Sequence, residues 1–157
     1  MCIPSAMGRT SRSKERLRLD RPAAISEAVR RRMQATPRRD TPCELALRSA
    51  IHRLGLRYAV DQPPIPTTRR RADLVFRTAR VAVFVDGCFW HGCPSHGTWP
   101  KANADWWRAK IALNRERDVD TNAWLKREGW AVVRVWAHEN PIGAAMRIAR
   151  LVRRRRL

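Results

Sequence analysis

Apolar and polar positions alternate between two periods along this chain, and the clearest stretch follows neither. Val81-Ala82-Val83-Phe84-Val85 is apolar at every position. A half-exposed strand alternates, so an unbroken run predicts a central strand buried on both faces. Asp86 and Gly87 end it. Just upstream, Leu74-Val75-Phe76 reads as a second strand, with Arg77 to Arg80 as a hairpin link. Earlier still, Leu45, Ala46, Leu47, Ala50, Ile51 and Leu54 recur at helical spacing. Thr41 as N-cap, Pro42 in the first turn and Glu44 as capping-box partner mark that helix's start, and Gly55 its end. Leu56 to Val60 reads as a short strand, and the proline-rich Gln62 to Thr68 as a loop.

A long helix follows the central strand. Asn103 is its expected N-cap, with Asp105, Trp106 and Trp107 in the first turn. Trp107, Ile111, Asn114 and Leu125 share a face at helical spacing. Gly129 to Trp136 reads as a further strand. Pro141 opens a last helix whose predicted apolar side is Ile142, Met146, Ala149, Leu151 and Val152. Helix, strand, hairpin, long helix, strand, helix is the order of a small α/β domain with a mixed sheet flanked by helices.

Charge changes the picture. The 157 residues carry 33 Lys and Arg against 14 acidic groups, a formal net charge of +19. Such an excess points to a polyanion, with nucleic acid first. No apolar run reaches membrane-spanning length and no secretory leader is seen, so the expectation is a cytoplasmic protein, nucleoid-associated when bound to DNA and without a membrane partner. Residues 1–38 read as a basic arm, partly disordered without DNA, and residues 39–157 as the compact domain. Met33 is placed on the arm to insert beside bases or to pack on the domain. Arg69, Arg70 and Arg71 precede a strand and suit phosphate contacts or a solvated turn; Arg108 and Lys110 make the long helix basic. Among seven tryptophans, Trp90 and Trp106, with Phe89, are candidates for wedging between bases or for the core.

Chemistry concentrates near the central strand. Asp73 enters the apolar strand Leu74 to Phe76, where a carboxylate is costly unless paired, hydrogen-bonded or bound to metal. Hard oxygen ligands on adjacent strands suit magnesium-assisted phosphodiester hydrolysis. Cys88, Cys93 and His96 have the softness and spacing of zinc ligands, and His138 at the end of the last strand is the candidate fourth. His91 is then free for proton transfer, with a supporting role beside the metal as the alternative. Glu44 caps a helix or serves the site. No phosphate-cradling glycine loop and no serine or cysteine nucleophile arrangement is present.

These residues carry a resemblance. Thr41 to Glu44, Arg71-Ala72-Asp73-Leu74-Val75-Phe76, and Phe84-Val85-Asp86-Gly87-Cys88-Phe89-Trp90-His91-Gly92-Cys93-Pro94 resemble the very short patch repair (Vsr) DNA mismatch endonucleases. The Trp106-Trp107 to Asp118 helix and the Gly129 to Trp136 strand agree, and the likeness runs from Asp40 to His138. The resemblance implies a restriction-endonuclease-like core with a structural zinc site. It implies nicking of one strand 5′ to the thymine of a T:G mismatch left by deamination of 5-methylcytosine. It puts catalytic magnesium on Asp73 and the Val85 carbonyl, acid–base roles on His91 and Glu44, and zinc on Cys88, Cys93 and His138; the remaining zinc ligand falls at Ser95, where His96, one position on, must substitute. Phe89 and Trp90 become the intercalating surface, with Trp107 at the DNA. Asp86 stands where the best-known member has a histidine, and either adds a metal ligand or changes rate and metal preference. A monomer suffices to cut one strand, and a DNA cytosine methyltransferase is a functional partner to look for. The alternatives are a same-fold nickase or restriction-system nuclease with another target, and a zinc-stabilised DNA-binding module without catalysis.

Overall fold

The computed structural model describes residues 22, 26–35, 37 and 39–156. Helix α1 spans Glu27–Ala35, α2 Pro42–Arg53, α3 Ala104–Arg127 and α4 Pro141–Arg154; strands are β1 Ala59–Gln62, β2 Ala72–Phe76, β3 Val81–Asp86 and β4 Ala131–Trp136. The strands form one sheet in the order β1-β2-β3-β4. β1 and β2 pair antiparallel, as do β2 and β3 through the expected hairpin, while β3 and β4 run parallel with α3 as their crossover. This is the mixed α/β sheet expected, consistent with a restriction-endonuclease-like fold.

The uninterrupted apolar run is explained by what lies on either side of it. Val81 and Val83 join Leu74, Phe76 and Val135 in a core with Leu47 and Ile51 of α2 and Ala145 and Ile148 of α4. Ala82, with Val75 and Ala72, faces the opposite way, against Leu125 and Trp130. β3 is therefore interior in strand order and, over Val81 to Val83, in depth, whereas Phe84 and Val85 are half-buried. Phe76, Leu74 and Val81 are fully buried, each contributing roughly 1.5–3 kcal/mol of transfer free energy. Gly55, at φ 77°, ends α2 in the left-handed conformation that glycine adopts without a steric penalty.

Several local expectations are corrected. β1 begins at Ala59, and Leu56 packs in the core ahead of it rather than within a strand. β4 begins at Ala131, two residues after Gly129. Leu45 is 49% exposed and Ala46 is also exposed, because α2 turns Leu47, Ala50 and Ile51 inward. In α4 the phase is shifted: Ala144, Ala145, Ile148, Ala149 and Val152 are buried, leaving Ile142 and Met146 in solvent. Small alanines lie flat against α2, so the bulkier residues do not mark the buried side. Asn103 precedes α3 in a left-handed conformation, φ 54°, and makes no side-chain cap bond. Thr41 likewise leaves the α2 amides uncapped. Its hydroxyl donates instead to Glu44 Oε1 at 2.8 Å, while Glu44 Oε2 reaches back to the Asp40 amide at 3.0 Å. Neither bond of the expected capping box forms, because Glu44 reaches past the Thr41 cap to the residue before it. Met33 falls in α1, but its side chain lies outside the described residues, as does most of the basic arm.

Candidate active site and metal centre

Asp73 stands on β2 where the hairpin opens towards the end of β3. Its Oδ2 accepts the Val85 amide at 2.6 Å, so carboxylate and strand end are held together. Burial raises its pKa, Glu44 and Asp86 raise it further, and the Val85 amide and Arg48 partly offset them; the carboxyl is pushed up to about 6. Among the described residues Asp73 has no ion-pair partner. Glu44, 7% exposed, is held differently: Arg48 Nη2 donates to its Oε2 at 3.2 Å, and Arg48 Nη1 to Asp40 at 2.5 Å.

Beside this pair lies a closed network of charge. Asp86 is 4% exposed and accepts from Arg134 Nη1 at 2.7 and 2.9 Å. Arg134 Nη2 is 3.0 Å from Asp118 Oδ1, and Asp118 Oδ2 is 2.5 Å from His91 Nδ1. Burial alone would raise the Asp118 pKa, but its hydrogen bond to His91 and the charges of His91 and Arg134 hold it below the ordinary value. With Nδ1 engaged, His91 has Nε2 for work. The loop carrying it is pinned where the Asn114 amide donates to the Trp90 carbonyl at 2.9 Å. A Cβ at Gly92, φ 61°, would meet Ile111 at 2.8 Å, so only glycine lets the loop approach α3 this closely.

The second cluster gathers Cys88, Cys93, His96 and His138, whose ligand atoms all lie within 4.8 Å of one another. Cys88 Sγ is 3.1 Å and Cys93 Sγ 3.8 Å from His138 Nδ1, and Cys93 Sγ is 4.0 Å from His96 Nδ1. Tetrahedral zinc with bonds of about 2.0–2.3 Å spaces its ligand atoms by about 3.3–3.8 Å, so the four fit with small adjustments. The Cys93 amide donates to the Cys88 carbonyl at 2.8 Å, and the Gly97 amide to the Cys93 carbonyl at 2.8 Å, folding the loop that brings them together.

Phe89, Trp90, Trp106 and Trp107 form an aromatic wall. Trp107 lies 5.0 Å from Phe89 edge-to-face, 5.8 Å from Trp90 and 4.7 Å from Trp106. All four are half-buried. Arg69 is exposed near the start of β2, but its neighbours are committed elsewhere. Arg70 pairs with Asp120 at 2.7 Å and lies over Trp124, and Arg71 forks onto the Asp61 carboxylate and carbonyl. On α3, Arg108 pairs with Asp105 at 3.1 Å, and Lys110 is half-buried.

The arrangement has relatives. Residues 25–96 match the family model described as DNA mismatch endonuclease Vsr. The type II nicking enzyme V.NaeI of Lentzea aerocolonigenes is 45% identical over 120 residues, 75% of this chain and 72% of that protein. The type II nicking enzyme V.XorIIP of Xanthomonas oryzae pv. oryzae is 42% identical over 108 residues, 68% and 77% of the two chains. This chain belongs to the Vsr endonuclease family. The DNA mismatch endonuclease Vsr of Escherichia coli K12 is 34% identical over 108 residues, covering 66% of this chain and 65% of that protein.

As a Vsr-family protein the chain is a DNA endonuclease with DNA as its partner, which sets aside the non-catalytic module. The fold brings Asp73, Val85, Asp86, Glu44 and His91 to one end of the sheet, with the cysteine–histidine cluster beside them. Sequence reasoning missed Asp118 and Arg134. Asp118 sits in the charged run Arg115-Glu116-Arg117-Asp118, where nothing local sets it apart. Arg134 did carry a signal: a cation inside the apolar strand Val132-Val133-Arg134-Val135 needs a buried partner.

Proposed function

We propose that this protein nicks one strand of duplex DNA 5′ to the thymine of a T:G mismatch, with catalytic magnesium and structural zinc. The observation that carries the reading is Asp73: a mostly buried carboxylate with no cation partner among the described residues, bonded to the strand end bearing Val85. It and the Val85 carbonyl are hard oxygen donors and would hold magnesium. When bound, magnesium supplies Lewis-acid stabilisation of charge at the scissile phosphate and leaving oxygen. His91, oriented through Nδ1 by Asp118, presents Nε2 to take the proton of the attacking water. Glu44, fixed by Arg48 and Thr41, adds a negative charge beside Asp73. Asp86 is bound by Arg134, which favours a part in arranging His91 over direct magnesium ligation. Cys88, Cys93, His96 and His138 would hold zinc and tie the β3 loop to the end of β4, making metal affinity part of folding free energy.

Phe89 and Trp90, backed by Trp107 and Trp106, would insert at the mismatch, where unstacking costs less than in a paired duplex. Of the basic residues, exposed Arg69 suits a phosphate contact best, while Arg70, Arg71 and Arg108 would first have to leave their partners. A monomer suffices, and a cytosine methyltransferase that creates the vulnerable base is the expected functional partner.

A second reading is a same-fold nickase or restriction-system nuclease with a different target; V.NaeI and V.XorIIP, described as type II nicking enzymes, support nicking as the activity. One assay separates them: 5′-labelled duplexes, matched and T:G-mismatched, with magnesium or chelator. Magnesium-dependent nicking confined to the mismatch supports repair. Cutting of matched DNA at one sequence supports the restriction reading, and binding without product refutes both.

A further inference from the structure

We propose that Arg134 is a positioning residue that selects the carboxylate on which His91 rests. The inference deepens the reading of His91 as the proton-transferring group and rests on it. His91 Nδ1 faces two acids, Asp118 Oδ2 at 2.5 Å and Asp86 Oδ1 at 3.5 Å. One imidazole N–H can satisfy only one of them well. A guanidinium decides between them. Arg134 Nη1 takes both oxygens of Asp86, at 2.7 and 2.9 Å, which removes Asp86 as a competitor. Its Nη2 holds Asp118 Oδ1 at 3.0 Å and leaves Oδ2 to His91.

Arg134 is itself fixed. Nε donates to Asn122 Oδ1 at 3.1 Å, and the guanidinium lies over the Phe84 ring at 5.0 Å. A planar fork can address two carboxylates at set angles, whereas the point charge of lysine cannot. Without that cation, Asp86, Asp118 and His91 would remain a tight group with nothing to order it, their ligand atoms all within 4.8 Å of one another. Asp86 and Arg134 are thus a matched pair, and the imidazole is set by their combination rather than by either alone.

The test measures single-turnover nicking and duplex affinity of the full chain on a T:G duplex with magnesium, together with the His91 Nδ1-bound proton resonance. Arg134→Met is expected to slow nicking about 100-fold, the scale of a misplaced catalytic group, with the dissociation constant for DNA unchanged. Asp86→Asn in the Arg134→Met background removes the competitor and is expected to restore about tenfold, within the range of coupling inside one network. A double variant no faster than Arg134→Met overturns the proposal. If Arg134→Met does not fold, Arg134→Lys carries the test: it keeps the charge and loses the fork, and a wild-type rate would overturn the selection argument. If the wild type nicks no duplex, the reading of His91 fails separately, and the resonance decides. Its displacement in folded Arg134→Lys supports positioning, and an unmoved signal overturns it.

Discussion

Two clusters hang from the same strand ends and are neutralised in opposite ways. The carboxylate side brings its own cations: Arg48 serves Glu44, and Arg134 serves Asp86 and Asp118. The thiol–imidazole side gathers Cys88, Cys93, His96 and His138 around a common point, bonded to one another and, among the described residues, to no arginine or lysine side chain. Internal ion pairs balance the acids of the first side, except Asp73, which has no ion-pair partner among the described residues. The second is four ligand atoms turned towards one another, an arrangement whose natural closure is a metal. The contrast singles out Asp73 as the buried acid of this group with no ion-pair partner among the described residues, held by the Val85 amide alone.

The largest effect expected from this contrast is at Asp73 itself. Asp73→Ala should lower the nicking rate by at least about 1000-fold, as loss of a main electrostatic contact to the transition state does, while gel-shift affinity for the duplex persists. Removal of metal from the second cluster comes next. Metal analysis of protein purified without a histidine tag should find one zinc per chain, and chelation or Cys93→Ala should unfold the β3 loop, read as lost thermal stability; an unchanged melting curve would refute a structural zinc.

The third prediction concerns pH. Because the folded Asp73 pKa lies above its unfolded value, its neutral form is favoured by folding. Without divalent ion, stability should therefore fall as pH rises from about 4 to about 6, by on the order of 3 kcal/mol. Asp73→Asn should lack that loss and be the more stable protein above pH 6, as followed by urea denaturation in chelator. The smallest effects should come from the arginines before β2. Arg69→Ala should reduce the salt dependence of DNA binding by about one unit of slope. Arg70→Ala should leave the slope unchanged and cost less than about 1 kcal/mol of stability, since its partner is Asp120.

How much of this was legible in the sequence depended on range. Val81 to Val85 announced a strand interior to the sheet because composition alone required burial on both faces. Asp73 stood out because it entered an apolar strand; spacing marked Cys88, Cys93 and His96 as ligands, and His138 joined them from its place at the end of the last strand. The α4 phase was misread because the buried face uses alanines, which periodicity weighs lightly beside Ile142 and Met146. The His91 network was invisible for another reason. It joins β3, its following loop, α3 and β4, and only the parallel register, with Arg134 opposite Phe84, brings its guanidinium within reach of Asp86 two positions on. The commitment of Arg70 to Asp120, 50 positions away, was hidden in the same way.

On the proposed reading, Asp73 is the group that would hold a divalent ion. Manganese binding, measured by electron paramagnetic resonance on the duplex-bound protein loaded with zinc, tests it most directly. A tight manganese site is expected in the wild type and is expected to disappear in Asp73→Asn. Equal manganese binding by the two proteins would contradict it.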